Sequence, residues 1–502
     1  MIRKYLVFLL TGLIFLLFLA QLGPSATITA QPRVAWRQPV NLSNSPTNST
    51  HPAVVSDGYG HVHVFWSEDM GGPELGADAL GNPGNAIFHR CWDGQRWSPP
   101  VDVLAVAGDP LADFVSVAID DDNQLHLVWT GLSDLYYSTV PAVEADSVHA
   151  WAQPEIIGAS ARTRFESDIA VDSLGTVHIV YASKGETTGV YHIMQQKGNR
   201  AWSIPQRISA PLTEHEEGFR DVRMTIDQHD RIHVAWGTFN ARGFGQGLYY
   251  ARSEPGGAAW DNAILMDEAA SDKDFIGFPS LLAHAPDELF LLHVGAEPRG
   301  RVEHTSTNGG ATWSEPHQVL INMEGVNGFL APLVDGADNM HLLIDMRTTA
   351  DQMVGIYYAP RSGQDWSPII PIAVEAPYGP TAHYMNAAVR LGNEIHVVWT
   401  QLRGGEIWTV RGEIAGIPSA KAQPTPTPEP QSALLPTPTA DRERPSTSIS
   451  PSPASTENDH LLPPALRSPP PPAMSLWQII GIAAAPVLLF LGVVILWQVR
   501  RR

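Results

Sequence analysis

The sequence predicts an all-β chain, a seven-bladed β-propeller of four-stranded blades over residues 32–415 closed by its own N-terminal strand; a six-bladed ring with one redundant hairpin is the alternative. Three observations predict it. A short β-rich run that holds histidine and ends in an aromatic residue recurs along the chain. Each copy sits in a hairpin followed by a third strand-like run and then a tryptophan-led fourth. One of the tryptophan-led runs is displaced to the start of the domain.

The best copies of the first signal are Val62-His63-Val64-Phe65-Trp66, Leu125-His126-Leu127-Val128-Trp129, Val177-His178-Ile179-Val180-Tyr181, Ile232-His233-Val234-Ala235-Trp236 and Ile395-His396-Val397-Val398-Trp399. Leu289-Phe290-Leu291-Leu292-His293 and Met340-His341-Leu342-Leu343-Ile344 are weaker copies and bring the number to seven. Six residues before the histidine slot stands Asp57, Asp120, Asp172, Asp227 or Asp335, with His284 and Arg390 in the other two units. Asp, Asn and Gly between two β-rich runs are turn chemistry, so each unit opens with a hairpin. The third run is Leu135-Tyr136-Tyr137, Leu248-Tyr249-Tyr250, Ile356-Tyr357-Tyr358 and their counterparts; the fourth opens at Trp97, Trp151, Trp202, Trp260, Trp313 and Trp366. The seventh tryptophan-led run, Trp36-Arg37-Gln38-Pro39-Val40-Asn41-Leu42, precedes the first hairpin. In a ring whose first strand completes the last blade no sheet edge is left free, so Trp36 is expected beside residues 406–411.

Both ends read as membrane addresses. Arg3 and Lys4 precede an apolar run, so residues 1–30 read as a signal peptide or signal anchor. Residues 475–499 are long and apolar enough to cross a bilayer, and Arg500, Arg501 and Arg502 place the 500–502 tail in the cytoplasm with the propeller outside. Residues 416–474, rich in Pro, Ser and Thr, read as an extended disordered stalk. A net charge of -20 excludes a nucleic-acid partner, and one cysteine, Cys91, excludes an internal disulfide; Cys91 is expected to be a packing residue.

Ser306-Thr307-Asn308-Gly309-Gly310-Ala311-Thr312-Trp313 resembles the Asp-box, Ser-X-Asp-X-Gly-X-Thr-Trp, of the sialidase superfamily, with Asn308 in place of the Asp, and residues 253–260 hold a fainter copy. The resemblance implies a structural turn between the third and fourth strands of a blade. The family's enzymes also carry an early Arg-Ile-Pro, and they are typically six-bladed. Here the corresponding stretch reads Arg33-Val34-Ala35-Trp36-Arg37-Gln38-Pro39.

Equivalent histidines of a ring are rotated apart and do not converge on one ion, so a structural role is expected for them, with no metal and no cofactor. Asp120-Asp121-Asp122-Asn123 reads as a turn rather than a calcium loop, since it lacks the later Gly and Glu. The loops joining strand four to the next blade and strand two to strand three carry the unrepeated polar residues, as function requires. Arg164, Glu217, Arg220, Asp274, Arg347 and Tyr384 are the candidate ligand-binding set; no catalytic residue is assigned. Arginines suit carboxylates, and paired carboxylates with a tyrosine suit glycoside chemistry. The leading expectation is a membrane-anchored extracellular binding module for a glycan or an extracellular protein. An exo-acting glycoside hydrolase of the sialidase type and a structural or assembly platform are the alternatives.

Overall fold

The computed structural model describes residues 33–426 apart from 71–83, 158–166, 185–187, 272–273, 297–299, 322, 325–327, 349–353, 375–381 and 402–403. The second strand of each blade is the most buried: Val62–Asp69, Val177–Ser183, Leu289–Gly295 and Glu394–Gln401 are buried along nearly all their length. These strands lie between two others of their own sheet with neighbouring blades over both faces, which is why they read as continuous apolar runs instead of alternating ones. Their closing aromatics Trp66, Trp129, Trp236 and Trp399 have no exposed surface.

Seven antiparallel sheets form, as the primary reading expects, and not six. The innermost strands are Ser49–Ser56, Asp113–Ile119, Ser167–Val171, Gly218–Ile226, Gly277–Ala283, Leu330–Val334 and Ala382–Arg390. Each packs beside the next, and the last packs beside the first, so the ring is closed. The seventh sheet consists of Ala382–Arg390, Glu394–Gln401, Glu406–Ile414 and the N-terminal strand. Val34, Ala35 and Trp36 pair with Ile414, Glu413 and Gly412, and Val40 and Asn41 pair with Thr409 and Trp408. The displaced run therefore lies where the sequence puts it.

One detail differs from the sequence reading. The tryptophans do not open the fourth strands: those begin at Val101, Glu155, Gln206, Ile264, His317 and Ile370, each four residues after its tryptophan, as Val40 is after Trp36. The indole lies ahead of the fourth strand, where in several blades it reaches the preceding blade. Trp202 meets Tyr137 edge-on at 4.9 Å, Trp313 meets Tyr250 at 4.9 Å and Trp36 meets Tyr358 at 5.4 Å. Edge-to-face pairs of this kind add to the area they bury.

Two of the repeated histidines sit in complete hydrogen-bond relays. In the fourth blade His233 Nε2 lies 3.0 Å from Asp227 Oδ2, and its Nδ1 lies 2.7 Å from Tyr250 Oη. The same relay from turn aspartate to second-strand histidine to third-strand tyrosine joins Asp335, His341 and Tyr358. The Asp120 turn caps itself, its Oδ1 accepting from the amides of Asp122 and Gln124. Blade five departs from the pattern. Phe290 and Glu303 occupy the histidine and tyrosine slots, and Glu303 instead accepts two hydrogen bonds from Arg361 of blade six, at 2.8 and 2.9 Å, and one from Trp366 Nε1 at 2.8 Å.

The 306–313 turn lies between Gly300–Ser306 and His317–Val319, as the resemblance implies. Asn308 does the work of the missing aspartate: its Oδ1 accepts from the Thr312 amide at 2.9 Å, and Ser306 Oγ accepts from the Gly310 amide at 2.9 Å. Gly310 has φ +74° and a Cβ there would sit 1.8 Å from Tyr250 Oη, so glycine is required twice over.

Past the last strand the chain is still held. The Ala420 amide donates to Leu391 O, the Gln423 amide to Gly58 O, and Asn123 Nδ2 to Gln423 Oε1. This segment crosses the hairpin turns of blades seven, one and two. Among the described residues no helix is long and apolar enough to cross a membrane. The expected signal (1–30), the 475–499 span, the 500–502 tail and the stalk beyond residue 426 lie outside the described residues, as does most of the long loop of blade one.

Candidate ligand site at the axial cavity

The starts of the seven inner strands converge on a cavity of about 240 Å³ lined from every blade. Two sequence registers build it. Six residues before the turn residue, His51, Phe114, Asp221, Phe278 and Tyr384 take the left-handed conformation, with φ between 50 and 53°. At each of these positions the pairing with the second strand shifts register, so a β-bulge recurs at the start of the inner strand in five blades. Left-handed geometry costs a residue with a Cβ about 1 kcal/mol or more, a cost the surrounding pairing sustains five times over. Four residues before the turn, the slots are Ala53, Ser116, Asp168, Arg223, Ser280, Ala331 and Asn386. All but Ala53 line the cavity.

The wall divides into an aromatic side and a charged side. His51 is held between Phe114 and Tyr384, with ring centroids 4.0 and 4.1 Å away, and Phe329 lies 5.6 Å from Tyr384. His51 Nδ1 is 2.6 Å from Asp113 Oδ1, which orients the imidazole. Its Nε2 is buried and has no hydrogen-bond partner among the described residues. Opposite in character is the Asp168 and Arg223 pair of slots. Burial pushes the Asp168 carboxyl up, against the pull of Arg223 and of the hydrogen bonds it accepts from the Met224 and Ile169 amides and from Ser116 Oγ. The Arg223 guanidinium lies 5.9 Å from the Phe329 ring centre, so cation and aromatic surface adjoin.

Of the six residues expected from the sequence, Tyr384 lines the cavity. Arg220 does not: its Nε donates to Asp221 Oδ2 at 2.8 Å and its guanidinium lies over Phe275 and Phe278. Glu217 is exposed, its amide tied to Phe239 O at 2.7 Å. Asp274 is half-buried and accepts from Ser271 Oγ at 2.9 Å. The Arg347 backbone pairs with Val354 and Glu324 at the end of the second strand of blade six. Arg164 lies outside the described residues. Among the four with described side chains, Tyr384 alone reaches the axis. Sequence reasoning missed His51, Asp113, Phe114, Asp168, Arg223 and Phe329; the signal for most of them was available, because they stand at fixed offsets of six and four before each turn.

No protein-family model matches the sequence, and no curated protein does. Solved structures do match. The BP39L lectin from Burkholderia pseudomallei superposes with a TM-score of 0.52 at 14% identity, over 75% of this chain and 99% of the lectin. An ulvan lyase of polysaccharide lyase family PL25 gives 0.51 at 10% identity, over 74% of this chain and 95% of the lyase. The NanB sialidase from Streptococcus pneumoniae gives 0.41 at 11% identity, over 76% of this chain and 70% of that one. The chain shares a propeller fold with lectins and polysaccharide lyases. At such identities the likeness extends to the fold and no further.

Proposed function

We propose that the protein is a glycan-binding propeller that takes one sugar residue of a longer chain into its axial cavity. The observation that carries this reading is the meeting of aromatic faces (His51, Phe114, Phe329 and Tyr384) with charged and amide groups (Arg223, Asp168 and Asn386) at the mouth of a closed ring. Sugars present apolar C–H faces to aromatic rings and hydroxyls to polar side chains, so such a wall suits them. At about 240 Å³ the cavity is smaller than the roughly 300–1,000 Å³ that encloses a whole small ligand, which favours the end or a single unit of a polymer. The lectin and lyase neighbours act on or bind carbohydrate by their names, which supports the same class.

In this reading the 1–30 segment directs export and the 475–499 segment anchors the propeller at the cell surface by way of the proline-rich stalk. A glycan array probed with the full-length protein in detergent tests the binding. Retained glycans are expected, with Tyr384→Ala and Phe329→Ala each lowering affinity at least tenfold; a blank array, or binding indifferent to both changes, refutes it. Protease shaving of intact cells that leaves the propeller uncut would refute its placement outside.

The His51 and Asp113 pair favours a second reading, an enzyme acting on that glycan. An imidazole oriented by a carboxylate at one nitrogen is equipped to move a proton at the other. Turnover of the captured glycan, lost in His51→Gln with binding retained, distinguishes this from a lectin.

A further inference from the structure

We propose that blade one carries a metal site for a zinc-class divalent cation, with His61, His63, Cys91 and Asp57 as ligands. The ligand atoms of His61, His63 and Cys91 lie within 4.8 Å of one another. Asp57 Oδ2 lies beside the two imidazoles, 3.0 Å from His61 Nδ1 and 3.3 Å from His63 Nε2. Around tetrahedral zinc, ligand atoms are separated by roughly 3.3–3.7 Å, given bond lengths of about 2.0–2.3 Å. A side-chain adjustment of about 1 Å therefore brings His61, His63 and Cys91 to that spacing, with His63 and Cys91 directly opposite on adjacent strands and His61 in the turn before them.

The other blades serve as the control, because each has the same two positions. Opposite the histidine slot they carry Thr139, Met194, Arg252, Thr305, Pro360 and Arg411. Two residues before it they carry Gln124, Thr176, Arg231, Glu288, Asn339 and Glu394. Blade one alone puts an imidazole and a thiol in both places at once. Neither is needed for the relay, which blades four and six make without them.

The surroundings of His63 also suit a metal-bound imidazole. Its Nδ1 is 3.0 Å from His89 Nε2, and His89 Nδ1 is 2.8 Å from Asp146 Oδ1. With the cation on His63 Nε2, Nδ1 carries the ring hydrogen and faces His89, the outer contact by which metal-bound imidazoles are oriented. Cys91 binds as thiolate, releasing its proton to solvent.

Full-length protein without a histidine tag, stripped with chelator and titrated with cobalt(II), gives the test. The expected result is a thiolate-to-cobalt charge-transfer band with four-coordinate d–d bands, saturating at one equivalent. Cys91→Ser abolishes the charge-transfer band and His61→Gln weakens binding at least tenfold; both side chains are only partly buried, so circular dichroism should be unchanged. Absence of the band in the wild-type protein overturns the proposal. A band that survives both substitutions overturns it equally, as cobalt bound elsewhere.

Discussion

Replacing Arg361 by methionine removes the cation that faces Glu303 across the interface of blades five and six. The Glu303 side chain is 2% exposed and that of Arg361 11%, so the substitution leaves a carboxylate away from water with Trp366 Nε1 as its remaining donor among these bonds. Breaking one side of a buried pair costs about 3–5 kcal/mol. The stacking of the guanidinium 4.4 Å from the Phe290 centroid adds about 0.5–1 kcal/mol to what is lost. Removing both charges, as Glu303→Leu with Arg361→Met, leaves no unpaired buried charge, only the Trp366 indole N–H without its Glu303 acceptor, and should return stability to within about 1–2 kcal/mol of the parent. Urea denaturation followed by tryptophan fluorescence, with midpoints compared at unchanged slope, reads both quantities. A loss below about 1 kcal/mol for the single change, or a double variant as unstable as the two singles summed, refutes the reasoning.

Three further outcomes are expected. Gly310→Ala, which drives a methyl group into Tyr250 Oη at a positive φ, should cost more than about 2 kcal/mol, whereas Asn308→Asp should be neutral within about 0.5 kcal/mol; thermal melts separate them. Burial pushes His89 down to about 4 and His192 and His293 down to about 3, from 6.5. The folded state keeps them neutral while the unfolded chain takes up protons below pH 6.5, so stability should fall as pH drops from 6.5 towards 4, and His192→Leu should flatten that slope; denaturation midpoints at stepped pH check it. Deleting residues 33–42 exposes the edge of Glu406–Ile414, and size-exclusion chromatography should show self-association instead of a monodisperse ring.

The ring was readable because its repeat is carried by residues that recur in most blades. The aspartate turn, the paired histidine and the interblade tryptophan are the same physical solution used again, and Trp36 out of place exposed the closure. The site was less readable for the converse reason, since a binding surface differs from blade to blade and leaves no period. Arg220 and Arg223 show the difficulty most directly. The bulge between them, at left-handed Asp221, breaks the alternation by which a strand residue is assigned to one face or the other. Counting backward from the Asp227 turn, on the regular side of the bulge, would have selected Arg223. The contact of His89 with Asp146 had no sequence signature, because Asp146 reaches His89 from a loop of the next blade.

The pairing of Val34 with Ile414 also sets an order in time. The first strand of the propeller to leave the ribosome is the last to find its partner. At roughly 5–20 residues per second it waits some tens of seconds while the rest of the ring is made. During that interval six blades can assemble from neighbours in sequence, yet the circle stays open, and an unpaired edge faces whatever else is present. Trp36 and its flanking residues thus act as a latch that reports completion: a chain truncated before Glu406 lacks the partner for its own first strand.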